Sequence, residues 1–158
     1  MEIIQANRTH ASGLTEIALA AKRHWGYPEA WIESWRSSLT ITAEFVNLNE
    51  TWMVLDKEKP IGFYAFVSKE GKLELTHIWV LPQQMGQGIG RALFSHAIGR
   101  ARKLNFTTFE IESDPNAEGF YLRMGAQRVG ARASEIEEVK RELPILVFRL
   151  DLQHPPGA

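Results

Sequence analysis

The sequence predicts an α/β protein of the mixed, α+β kind, on three observations. Before Thr51 the apolar side chains recur at helical spacing. From Thr51 onward the pattern changes to short strand-like runs. A glycine-rich stretch, "MGQGIGRALF" from Met85 to Phe94, then joins one of those runs to an amphipathic helix, and another strand follows. A chain of 158 residues, 44% hydrophobic and 23% charged, suits one soluble domain. That domain is expected over residues 1–152, with "QHPPGA" over 153–158 as a loose tail.

Taken in order, Ile3 and Ile4 open with a short strand. Thr9 is the expected N-cap of a helix carrying Leu14, Ile17, Ala18 and Ala21 on one face. "GYPEAWIESW" begins a second helix, with Pro28 suited to its first turn. "TWMVLD", "IGFYAFVS" and "LELTHIWV" are three strands. "KEKP" and "KEGK" separate them as tight turns, which predicts an antiparallel meander. The helix after the glycine loop runs to about Leu104, with Ile89, Leu93, Ala97, Ala101 and Leu104 as its apolar stripe and Asn105 as a left-handed stop. "TTFEIES" is a fifth strand, "AEGFYLRMG" a short helix ending at Gly125, and "AQRVGA" and "ILVFRLDL" the closing strands.

Composition narrows the function. A formal net charge of −1 argues against a general nucleic-acid binder. The absence of cysteine removes disulfides, thiolate metal sites and a cysteine nucleophile together. Histidines and carboxylates show no metal-ligand spacing, so no metal is expected. "MEIIQANRTH" lacks the basic start and apolar stretch of a signal peptide, and no apolar run is long enough to span a bilayer. A cytoplasmic protein with no membrane or nucleic-acid partner is therefore expected. A homodimer is left open.

The glycine loop is the most informative segment. A helix start exposes unpaired N–H groups and a partial positive charge, which a Ser, Thr, Asp or Asn cap and acids in the first turn ordinarily satisfy. Here Gly86, Gly88 and Gly90 stand where a cap belongs, Arg91 puts a cation in the first turn, and no Asp or Glu occurs between Glu74 and Glu110. An external anion, phosphate above all, would supply the missing charge. The phosphate-loop pattern G-x-x-x-x-G-K-S/T fails, because Arg91 and Ala92 follow Gly90. The dinucleotide pattern G-x-G-x-x-G fails too, because the sixth position from Gly86 is Arg91. A nucleotide-binding oxidoreductase is disfavoured on both counts.

The segments "LELTHIWVLPQQMGQGIGRALF" and "NAEGFYLRMGAQRVG" together resemble the GNAT superfamily of acetyl-CoA-dependent N-acetyltransferases. The family's pyrophosphate motif is Arg/Gln-x-x-Gly-x-Gly/Ala, after a strand ending in Val-x-Pro. Val80-Leu81-Pro82, Gly88 and Gly90 match it, while Met85 departs from it at the Arg/Gln position. Asn116, Phe120, Tyr121 and Gly125 match the family's Asn…Phe-Tyr-x-x-x-Gly signature, and the order of elements resembles the family over nearly the whole chain. The resemblance implies a twisted, mixed, mostly antiparallel sheet of about six or seven strands with helices on both faces. It implies that the strand before the loop and the "TTFEIES" strand run parallel and splay apart. Acetyl-CoA would then bind along Ile78, Trp79 and Val80, with its phosphates on Met85, Gly86, Gln87, Gly88, Ile89, Gly90 and Arg91. Asn116 and Phe120 complete the cofactor-binding residues, and an amine is the acceptor.

Acetyl transfer requires an amine that sheds a proton, a stabilised oxyanion and a departing thiolate. Tyr121 matches the family position beside the sulfur, where a hydroxyl still protonated at neutral pH assists departure; apart from the resemblance, it is a buried aromatic on a short helix. A backbone N–H near Val80 would meet the oxyanion. Glu74, eleven residues before Met85, matches the catalytic glutamate of the histone-acetyltransferase branch or is an exposed strand charge. His77 alternates onto the other face with Leu75 and Trp79, as a packed, hydrogen-bonded histidine. His24, Trp25, Tyr27 and Trp31 lie where the family builds its acceptor wall. Trp31 and Trp35, four apart on one helix face, serve either that wall or core packing. Arg100, Arg102 and Lys103 complement the end of the loop helix. Direct attack in a ternary complex follows from the lack of a cysteine to carry the acetyl group. A non-catalytic acyl-CoA-binding regulatory module is the alternative.

Overall fold

A computed structural model describes residues 2–150. Seven strands, β1 (Ile3–Gln5), β2 (Glu50–Asp56), β3 (Lys59–Lys69), β4 (Lys72–Val80), β5 (Thr108–Glu112), β6 (Gln127–Ile136) and β7 (Val139–Arg149), form one mixed sheet in the order β1-β2-β3-β4-β5-β7-β6. Five α-helices accompany them among the described residues: α1 (Ala11–His24), α2 (Glu29–Leu39), α3 (Ala43–Leu48), α4 (Ile89–Lys103) and α5 (Glu118–Arg123). Contacts group the chain into two compact units, residues 2–66 with 77–95 and residues 67–76 with 96–150. The tail expected over 153–158, and the end of the last predicted strand, lie outside the described residues.

In the first unit, β1 and β3 flank β2, both antiparallel, with Ile3 opposite Val54 and Met53 opposite Phe63. Helical periodicity gave α1 its buried face of Leu14, Ile17, Ala18 and Ala21. Leu14, Ile17 and Ala18 share a core cluster with Ile32 of α2, Val46 of α3, Met53 and Phe63. The Thr15 hydroxyl accepts the Ile41 amide at 2.8 Å and ties the α2–α3 link to α1.

Several boundaries differ from expectation. Thr9 is not an N-cap. Asn7 caps a 3-10 turn over Arg8–His10 by accepting the Thr9 amide at 2.9 Å, and α1 begins only at Ala11. Pro28 sits at the N-cap of α2 rather than within its first turn, and its carbonyl accepts the Trp31 and Ile32 amides. α3 was not foreseen; it is capped by Thr42, whose hydroxyl accepts the Phe45 amide at 3.0 Å. Gly90 lies inside α4, not at its cap: the first helical hydrogen bond runs from the Ala92 amide to the Gly88 carbonyl.

In the second unit β4 and β5 are parallel, with Glu74 beside Glu110. β5 and β7 are antiparallel, with Thr108 opposite Arg149 and Glu110 opposite Val147. Phe109 and Phe148 stack at 5.3 Å on the buried face. α4 ends as expected at a left-handed Asn105 (φ 67°), with the Phe106 amide reaching back to Ala101 and the Asn105 amide to Arg102. Leu104 lies just past the end of α4 and is only partly buried. The closing strands are longer than expected. β6 continues to Ile136 and β7 starts at Val139, joined by a two-residue turn at Glu137 and Glu138 with φ of 47° and 67°.

Candidate functional site

The candidate residues fall into two sets, one in each unit. In the first, β4 ends at Val80, and the Leu81 amide donates to the Ile61 carbonyl at 2.9 Å. A 3-10 turn over Pro82–Gln84 follows and leaves Met85 extended and partly buried. The chain then enters α4 through Gly86 (φ 81°) and Gly88 (φ 83°). A Cβ at either position would meet nothing within 4 Å. Gly86, Gln87, Gly88 and Arg91 are exposed, and the first turn of α4 holds no acid. Gly62 seats this turn. A Cβ there would stand 3.2 Å from Ile89 Cγ2 and from the Trp79 carbonyl oxygen, and 3.3 Å from Leu93 Cδ1. Glycine therefore lets the start of α4 lie directly on the sheet, with Ile89 and Leu93 buried.

Ile78, Trp79 and Val80 are partly buried. The Trp79 indole N–H donates to His77 Nδ1 at 3.0 Å, and the His77 ring packs against Phe63 and Phe45 at 5.9 and 5.8 Å. Burial holds the imidazole well below its ordinary range, at about 4, so His77 is neutral at pH 7 with its proton on Nε2. His77 is thus the packed, hydrogen-bonded histidine expected.

In the link between α1 and α2, Tyr27 stacks on Trp31 of α2 at 5.7 Å and meets Trp35 edge-on at 5.0 Å; Trp31 and Trp35 meet at 5.9 Å. Tyr27 and Trp35 pack against the core, so part of this aromatic group is structural. Lys22 Nζ lies 4.4 Å from the Trp35 ring centre and 5.2 Å from that of Tyr27, a cation not among the residues expected at this wall. Its signal was present in the spacing: Lys22 is one position after buried Ala21, at the end of α1. His24 is exposed and Trp25 is 40% exposed, with their rings 5.6 Å apart.

The second unit holds Glu74, Asn116, Phe120 and Tyr121. Glu74 is exposed on β4, yet its carboxyl is held above the ordinary range by partial desolvation and by the nearby charges of Glu112 and Glu110. Glu112 itself is held by Arg132, Nη2 to Oε1 at 2.6 Å. Asp114 Oδ1 accepts the Asn116 amide at 2.8 Å and Asn116 Nδ2 at 3.0 Å, which fixes the turn into α5. Tyr121 is buried on α5 with Phe120 edge-on at 5.4 Å. Burial, with the Asp114 carboxylate, pushes its hydroxyl pKa above the ordinary range, so it stays protonated at any physiological pH. Among the described residues no group of three His, Asp or Glu side chains is placed to hold a metal ion, and no helix is long and apolar enough to cross a membrane.

Residues 14–126 match the Acetyltransferase (GNAT) family. A peptidyl-lysine N-acetyltransferase, YjaB of Salmonella typhimurium strain LT2, is 30% identical over 135 residues, 75% of this chain and 88% of that protein. A GCN5-related N-acetyltransferase from Rhodopseudomonas palustris shares the fold with a TM-score of 0.77, at 16% identity over 94% of each chain. The PaiA N-acetyltransferase from Thermoplasma acidophilum, solved with coenzyme A, gives a TM-score of 0.73 at 19% identity, covering 94% of this chain and 98% of that one. The chain belongs to the GNAT family of acetyltransferases. It is an N-acetyltransferase that uses acetyl-CoA, as the sequence led one to expect.

Proposed function

We propose that the protein acetylates a lysine side chain of a peptide or protein by direct attack of the amine on bound acetyl-CoA. The observation that carries the cofactor half is the acid-free start of α4, with two open glycines ahead of it. A helix N-terminus with outward amides and no resident carboxylate fits a pyrophosphate. In this reading residues 85–91 hold the phosphates and Ile78–Val80 the acetyl-pantetheine arm, with Asn116 and Phe120 as further cofactor contacts. The lysine acceptor rests on the named activity of the Salmonella relative. Tyr27 and Trp31, with His24 and Trp25, are assigned to the acceptor.

Glu74 takes the proton that the acceptor ammonium must lose. A carboxyl lifted by desolvation and by Glu112 and Glu110 is a better base than an ordinary glutamate. The neutral amine then adds to the thioester carbon, the C–N bond forming as the carbonyl π bond opens to an oxyanion; the nitrogen sheds its second proton to solvent, and the C–S bond breaks as the carbonyl re-forms. The Val80 amide stabilises the oxyanion. A thiol titrates near pH 8.5, well below a phenol near 10, so full proton transfer from Tyr121 to the thiolate is uphill. Burial steepens that slope. Tyr121 therefore acts by donating a hydrogen bond to the sulfur, and the coenzyme leaves as thiolate.

The test is release of CoA thiol with lysine-containing peptides, N-terminal amines and small amines as acceptors. Lysine peptides should give the highest kcat/KM; a preference for blocked-lysine peptides with a free N-terminus would overturn the lysine assignment. Tyr121→Phe should lower kcat by at least about tenfold with CoA affinity within about threefold. Glu112→Gln removes a charge that lifts Glu74, so the acidic limb of kcat/KM should move to lower pH; an unmoved limb would take Glu74 out of the base role.

A further inference from the structure

We propose that a cavity at the start of β4 and β5 in the second unit is a binding site for a small zwitterion, an α-amino acid with an apolar side chain. The cavity measures about 300 Å³ and is bounded by Lys72, Arg149, Thr108 and Glu110, with Phe106 and Val147 as its apolar wall. That volume lies at the small end of the roughly 300–1,000 Å³ typical of small-molecule sites, suited to an amino acid and too small for a coenzyme.

The sheet register assembles the polar lining. Thr108 stands opposite Arg149, Glu110 opposite Val147, and Glu74 beside Glu110. Lys72 is two residues before Glu74 and so shares its face. One face thus presents two cations, a hydroxyl and a carboxylate around a single hollow. Among the described residues none of Lys72, Arg149 and Glu110 makes an ion pair or a side-chain hydrogen bond, either with one another or elsewhere. The surrounding charges behave otherwise. Arg132 is bonded to Glu112 at 2.6 Å, and Arg128 to Glu142 at 2.5 Å. Two arginines of this sheet, Arg132 and Arg128, are thus held by carboxylates, whereas Lys72, Arg149 and Glu110 line one hollow without bonding one another.

A carboxylate fits Lys72, Arg149 and the Thr108 hydroxyl, and bidentate contact with the guanidinium adds geometric selection. An ammonium fits Glu110. The spread of the two signs across one hollow selects a ligand that carries both, and Phe106 and Val147 receive its side chain. A simple anion would be repelled by Glu110, and a simple amine by Lys72 and Arg149. Ligand binding here does not require the acetyltransfer reading, because the residues assigned to acetyl-pantetheine begin at Ile78; Glu110 is the shared residue, standing beside Glu74.

The experiment is an amide-NMR titration of the whole chain with L-phenylalanine, 3-phenylpropionate, phenethylamine and inorganic phosphate as probes. Phenylalanine should saturate, shifting the amides of Lys72, Thr108 and Val147, and should bind at least about tenfold more tightly than each of the other three. Arg149→Gln and Lys72→Gln should each weaken it by about tenfold, the scale of one charge-assisted hydrogen bond. Glu110→Gln should erase the preference over 3-phenylpropionate. Lys72, Glu110 and Arg149 are exposed, so their variants keep the core intact, and unchanged melting temperatures would verify that. Saturation by no probe, phosphate binding as tight as phenylalanine, or affinity indifferent to Arg149→Gln and Lys72→Gln would each overturn the proposal.

Discussion

Helix α3 starts at Thr42, whose hydroxyl accepts the Phe45 amide, and carries Glu44 in its first turn. Helix α4 starts from Gly88, which has no side chain to offer, and its first turn carries Arg91 and no acid. Each device at α3 contributes a few tenths to about 1 kcal/mol, and the longer, more deeply packed helix lacks both. The hairpin turns sharpen the contrast. Lys57, Glu58, Glu70, Glu137 and Glu138 all adopt positive φ with ordinary side chains. A left-handed backbone alone therefore does not oblige this protein to use glycine. At Gly86 and Gly88 the protein itself also leaves a Cβ room. What remains is approach from outside: α3 closes on its own side chains, and the open, acid-free start of α4 supports the proposal that a bound anion completes it.

Converting α4 into the likeness of α3 should have the largest effect. Gly90→Glu puts a carboxylate in the first turn without the positive φ of Gly86 or Gly88. Calorimetry should show CoA affinity reduced by more than about a hundredfold, equivalent to about 2.7 kcal/mol. Melting of the apo protein should show a gain of a few tenths to about 1 kcal/mol through the helix dipole. Unchanged affinity in a folded variant would break the comparison. For the wild type, CoA at a hundredfold over Kd should stabilise the fold by about 2.7 kcal/mol, and NAD should not. Gly86→Ala is the next step down: about tenfold weaker CoA binding, with about 1–2 kcal/mol lost to left-handed strain. Smallest is Thr42→Ala, which should cost about 1 kcal/mol in thermal denaturation and leave CoA affinity within about twofold.

Where physics is local, the sequence was informative. The stripe of α4 down to Ala101, the left-handed Asn105 and the turns at Lys57–Glu58 and Glu70–Gly71 lay where spacing and turn chemistry put them. The third turn escaped because Glu137 and Glu138 lie in a stretch with no Gly, Pro or Asn, whereas Pro60 and Gly71 mark the other two, so β6 and β7 are longer than expected. α3 escaped because six residues are fewer than two turns, too few to show a period. Thr9 misled because Asn7, two residues earlier, captures the Thr9 amide for a 3-10 turn. The same division holds at the site. An uncapped helix start is visible in one stretch of chain. The lift on Glu74 from Glu110 and Glu112, and the hollow at Lys72 and Arg149, arise only when strand register brings distant segments side by side.

The bond from the Trp79 indole to His77 also bears on acid tolerance and on light emission. His77 stays neutral in the folded protein down to about pH 4, whereas in an unfolded chain it takes up a proton near its ordinary 6.5. Below pH 6.5 the unfolded chain therefore binds more protons, and stability falls as pH drops through that window, by up to about 1.4 kcal/mol per pH unit. Once protonated, Nδ1 can no longer accept the indole N–H, and the neutral ring among Phe45, Phe63 and Trp79 becomes a buried cation. One imidazole thus sets an acid limit for the first unit, and the fluorescence of Trp79 is placed to report its approach.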